Sequence, residues 1–128
     1  MGLDMTMYAF EGDEVSFEEL MEQDSKVWYW RKANQIHGWM VKNVQKGEDD
    51  CGLYHVNEQQ IESLLDAVKY TLKTKKTTKL PPTSGFFFGT GVDEWYWEDL
   101  KDTRKYLQEM LTLKRTNPKT KFYYHSSW

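Results

Sequence analysis

Arg31, Asn34 and His37 fall within two turns of one another if the segment from Ser25 is helical. Together they offer a permanently charged fork that pairs with phosphate, an amide that donates and accepts, and an imidazole that hydrogen-bonds through either ring nitrogen. A second set stands in Ser84–Trp97, which holds six of the twenty aromatic residues and three of the eight glycines. There Gly89 and Gly91 form a turn whose backbone N–H groups point at whatever lies before the following helix, and Trp95 and Trp97 supply faces on which a planar ring stacks. Tyr124 and Ser126 add hydroxyls from the tail. These types favour holding a ligand over transforming it. The expected binding residues are Arg31, Asn34, His37, Gly89, Gly91, Trp95, Trp97, Tyr124 and Ser126, sharing one pocket for a small, nucleotide-like molecule. Its phosphate should face Arg31 or the lysines, because Asp93, Glu94, Glu98 and Asp99 repel an anion at the helix start.

No residue is assigned a catalytic role. An enzyme reading, a small hydrolase, would take His37 or His125 as base with Asp93, Glu94 or the acids at 48–50 as partners. No phosphate-cradling loop, nucleophile elbow or paired zinc motif accompanies them. Glu48-Asp49-Asp50, bounded by Gly47 and Gly52, carries oxygens that suit a hard cation but lacks the alternating spacing of a calcium loop. Cys51 and His55 lack the paired spacing of a zinc site. Neither a metal nor a cofactor is therefore expected.

The elements that must position these groups can be read from periodicity and capping signals. Asn57 with Gln60 forms a capping box, Val56 with Ile61 its staple, and Ile61, Leu64, Leu65, Val68 and Leu72 the apolar stripe of a helix over 57–73. A second helix is expected over 25–46, with Trp30, Ala33, His37, Val41 and Val44 on one stripe. Trp28 and Trp39 lie off its centre, a mixture that suggests a lined cleft or a second packing surface. A third runs over 93–114, with Tyr96, Leu100, Leu107, Met110 and Leu111 inward, until Asn117-Pro118 breaks it. Ser16 and Glu19 signal a short helix near 16–22. Phe86-Phe87-Phe88 reads as a buried strand, Met5–Phe10 as an edge strand, and Phe122–Trp128 as a strand that pairs within the fold, against Phe86–Phe88 or elsewhere. The lysine run and Pro81-Pro82 mark 74–83 as a mobile loop. The fold class is α+β, three main helices plus the short N-terminal one on a small, mostly antiparallel sheet, in a single domain over 1–128.

Composition limits the partners. Net charge is −3, yet residues 1–24 hold eight acidic and no basic side chains, leaving seventeen basic against twelve acidic in the remainder. With a pI near 5.6 and no contiguous basic face, a dedicated nucleic-acid binder is disfavoured. No apolar stretch approaches the ~20 residues of a membrane span, and a lone cysteine without a signal-like N-terminus points to a reducing cytoplasm.

Trp30-Arg31-Lys32-Ala33-Asn34-Gln35-Ile36-His37, Gly47-Glu48-Asp49-Asp50-Cys51-Gly52, Gly85-Phe86-Phe87-Phe88-Gly89, Asp93-Glu94-Trp95-Tyr96-Trp97-Glu98-Asp99 and Tyr124-His125-Ser126-Ser127-Trp128 together resemble a family of small uncharacterised proteins of tailed bacteriophages. The resemblance spans most of 25–128 and carries no activity with it. It implies a viral protein in the host bacterial cytoplasm that binds a host or defence component. Two binding modes follow: sequestration of a small nucleotide-like signal in a counter-defence role, or docking on a host protein through exposed rings among Trp28, Trp39, Trp95 and Trp128. A homo-oligomer formed through a strand edge or an aromatic helix face fits either.

Overall fold

The computed structural model describes residues 3–11, 26–81 and 94–127. Their elements are β1 (Asp4–Glu11), β2 (Lys26–Arg31), α1 (Asn34–Asn43), β3 (Leu53–Val56), α2 (Glu58–Thr74), α3 (Glu94–Thr116) and β4 (Thr120–Ser127). The strands form one antiparallel sheet in the order β2-β1-β4-β3. Side chains alternate across it. Met5, Met7 and Ala9 of β1, Trp28 and Trp30 of β2, and Phe122 and Tyr124 of β4 join Ile36, Met40, Leu64, Val68, Leu100, Leu107 and Met110 in one buried cluster. The helices thus cover one sheet face, an α+β architecture. On the opposite face Tyr8 and Tyr123 form a smaller cluster with Phe10 and Leu53.

Three expectations change. The helix expected over 25–46 is two elements: β2 occupies Lys26–Arg31, and α1 begins only at Asn34. Trp28 and Trp30 are buried while Tyr29 and Arg31 are exposed, so the period there is two, and aromatic residues suit a pleated surface. Met5–Phe10 is no edge strand, because β1 pairs with β2 on one side and β4 on the other. β3 was not foreseen at all. The tail strand is present as β4, paired to β1 and β3; its expected partner Phe86–Phe88 and the short helix near 16–22 lie outside the described residues.

α2 forms as its signals require. Asn57 Oδ1 accepts from the Gln60 N–H at 2.8 Å, and Gln60 Oε1 accepts from the Asn57 N–H at 2.9 Å. The helix closes at Lys75, a left-handed residue (φ 61°) whose N–H reaches the Thr71 carbonyl. Within the segment read as the loop 74–83, Leu80 is fully buried. α3 buries Tyr96, Leu100, Leu107 and Met110, together with Thr103, whose hydroxyl accepts from the Trp30 indole at 2.8 Å and donates to the Asp99 carbonyl.

Candidate functional site

His37 is buried, and both its ring nitrogens are engaged. Nδ1 lies 2.7 Å from the Tyr124 hydroxyl and Nε2 lies 2.9 Å from Asp49 Oδ1. An ionised carboxylate only accepts, so Nε2 carries the proton and Nδ1 accepts from Tyr124. Burial lowers the imidazole pKa against the opposing pull of Asp49, and burial drives that of the fully enclosed Tyr124 phenol well up. A phenol held neutral and out of solvent is a poor nucleophile. The row Tyr124, His37, Asp49 is therefore a clamp that fixes α1 and the 44–51 turn to the sheet. It does pair His37 with one of the acids considered for it in the enzyme reading.

With one face of α1 clamped, its other face is fixed as the wall of a cleft. Gln35, Gly38, Trp39, Lys42 and Asn43 recur at helical spacing and face Ser63, Asp66 and Ala67 of α2, with Thr78, Lys79 and Pro81 closing one side. The cleft has a volume of about 540 Å³, which suits a small molecule. Hydrogen bonds pin its walls. The Gln60 amide donates to the Asn43 carbonyl at 3.1 Å, joining the end of α1 to the start of α2. At the other end the Gln35 amide donates to the Tyr96 carbonyl at 3.2 Å, and the Tyr96 hydroxyl donates to the Leu80 carbonyl at 2.6 Å. Burial raises the Tyr96 pKa to about 12, so this clasp persists at any ordinary pH.

The walls are tied down, but the groups between them are not. Among the described residues, the side chains of Trp39, Lys42, Ser63 and Asp66 make no hydrogen bond, ion pair or ring contact. Lys79 holds its ammonium 4.4 Å above the Tyr70 ring. The cleft therefore presents a half-buried indole, two ammonium groups, a carboxylate and a hydroxyl. A second depression adjoins it along α1, lined by His37, Val41, Lys46 and Asp49 and sharing Gly38 and Lys42 with the cleft.

The residues expected to share a pocket are dispersed. His37 and Tyr124 touch, Ser126 lies on the same sheet face as Tyr124 with its hydroxyl buried and unpartnered, and Asn34 is buried one turn before His37. Arg31 is exposed and follows Trp30, so it points to the opposite sheet face; the helix that would have aligned it with His37 is a strand there. Trp95 is 67% exposed. Trp97 packs edge-on against Tyr96, with Lys75 above its ring. Gly89 and Gly91 lie outside the described residues. His125 faces away from Tyr124 and bonds the Cys51 carbonyl. The cleft residues were missed because Lys42, Ser63 and Asp66 read as solvated helix faces. The available signal was Trp39 off the stripe centre with a glycine before it.

Among the described residues no group of three or more His, Cys, Asp or Glu side chains is arranged to hold a metal ion, and no helix is long and apolar enough to cross a membrane. Compared with known proteins, the chain matches no family model, no curated protein and no solved structure.

Proposed function

We propose that this is a binding protein that sequesters a small nucleotide-like molecule in the cleft between α1 and α2. One observation carries the reading: Trp39, half-buried against the core, and Lys42, Ser63 and Asp66, whose side chains make no hydrogen bond or ion pair among the described residues, converge in a cleft whose walls are pinned at both ends. An indole face stacks on a planar base. Lys42 and Lys79 neutralise phosphate, and Asp66 accepts from sugar hydroxyls or an exocyclic amine. Fixed walls reduce the ordering cost of binding. On this reading the ligand is a host or defence signal withheld from its receptor in a bacterial cytoplasm, as the sequence resemblance to tailed-phage proteins implies. The test is mass spectrometry of small molecules released by heating protein purified from a defence-proficient bacterium. Wild type should release an aromatic phosphate that a folded Trp39→Ala/Lys42→Ala variant does not; identical released profiles would overturn the reading.

Trp95, exposed at the first turn of α3, and Tyr29, 50% exposed on the outer sheet face, favour a second reading as a module that docks on a host protein, since exposed rings of this size often anchor interfaces. Capture of a host protein by wild type and not by Trp95→Ala would support it.

A further inference from the structure

We infer that the molecule this cleft is built for carries two separated phosphate groups flanking a hydroxyl-bearing middle, a ribonucleoside bisphosphate in preference to a linear polyphosphate; this rests on the cleft-binding reading above. The order of charges along the cleft is the reason. Lys42 stands in the last turn of α1, next to Asn43, whose carbonyl is clasped by Gln60 at the start of α2. Lys42 and Ser63, the latter one turn beyond Gln60, both line the cleft toward that end. Lys79 is held over Tyr70, farther along the same stripe of α2. Ser63 and Tyr70 are seven residues apart, about 10 Å along the helix axis. Asp66 projects from the turn between them and lines the same cleft.

The charge sequence is thus positive, negative, positive. A triphosphate laid between the two ammonium groups would bring a phosphate against the Asp66 carboxylate, and like charges in a partly enclosed cleft repel. A ligand with phosphates at its two ends and a neutral donor in its middle meets all three groups with the right sign. The ribose of a 3′,5′-bisphosphate, with its free 2′-hydroxyl, is such a middle, and its base is left for Trp39. Electrostatic arrangement of this kind rejects wrong ligands as well as holding the right one.

Calorimetric titration with adenosine 5′-monophosphate, adenosine 3′,5′-bisphosphate and ATP tests this, using wild type, Lys42→Ala, Lys79→Ala and Asp66→Asn, with melting curves confirming that each variant is folded. All three positions are exposed. The bisphosphate should bind about tenfold more tightly than the monophosphate, roughly the worth of one added charge-assisted contact, and more tightly than ATP. Either lysine variant should erase the advantage over the monophosphate. Asp66→Asn should narrow the gap between the bisphosphate and ATP. A bisphosphate that binds no better than the monophosphate, or an ATP that binds as well as the bisphosphate, would overturn the inference and leave the cleft reading standing; failure of all three to bind would remove both.

Discussion

The hydroxyl of Tyr124, fully buried at the centre of β4, donates to Nδ1 of His37 at 2.7 Å across 87 residues of chain. This contact joins the sheet to α1 and so fixes the wall that carries Trp39 and Lys42. Tyr124→Phe keeps the ring and removes the donor, leaving a buried imidazole nitrogen short of it. The expected cost is about 1–3 kcal/mol, read from chemical denaturation. Unaltered stability would mean that the hydrogen bond does not hold α1 in place.

Stability should fall with acidification. The folded-state pKa of His37 lies below its ordinary value of 6.5, chiefly from burial. The unfolded chain therefore binds the proton more readily, and the stabilisation present above pH ~6.5 is lost as pH drops toward the folded value. His55 and His125 shift in the same direction, so His37→Gln should reduce the slope of melting temperature against pH between about 7.5 and 5.5 without abolishing it. An unchanged slope in that variant would contradict the assignment.

The reciprocal pair Asn57 and Gln60 caps α2. Asn57→Ala should cost about 1 kcal/mol, and more exchange of the first-turn amides should accompany it. Equal amide protection in the two proteins would count against the cap.

α2 was legible because its start, stripe and partners are all local. α3 was legible for the same reason, and β4 because so aromatic a tail must pair. β2 was not: Val27-Trp28-Tyr29-Trp30 runs directly into the residues of α1, and a stripe drawn through Trp30, Ala33 and His37 fits helical spacing well. Only pairing with β1, Met5 opposite Trp30 and Met7 opposite Trp28, decides for a strand. β3 has four residues and exists through non-local contacts such as Tyr54 opposite Tyr124, which no local pattern encodes. Of the residues expected to share a pocket, His37 and Tyr124 meet, but none of those among the described residues lines the α1–α2 cleft; that cleft is formed by two helix faces whose polar residues look solvated until both helices are placed.

Tyr96 ties α3 to the 78–81 segment through the Leu80 carbonyl. Tyr96→Phe leaves that carbonyl without its donor and should cost about 1–3 kcal/mol. The loss should also weaken ligand binding, since Thr78, Lys79 and Pro81 form one side of the cleft. Destabilisation with full retention of affinity would show that this side of the cleft does not contact the ligand.

The central claim, that the α1–α2 cleft holds a planar anion, is tested most directly by titrating the protein with adenosine 5′-monophosphate at low ionic strength in a calorimeter, with Trp39→Ala as the comparison. Saturable one-to-one binding with a dissociation constant of order 0.1 mM or tighter, about 5 kcal/mol or more, weakened about tenfold or more in Trp39→Ala, is the predicted result. No saturable binding by wild type, or equal affinity in the two proteins, would contradict it.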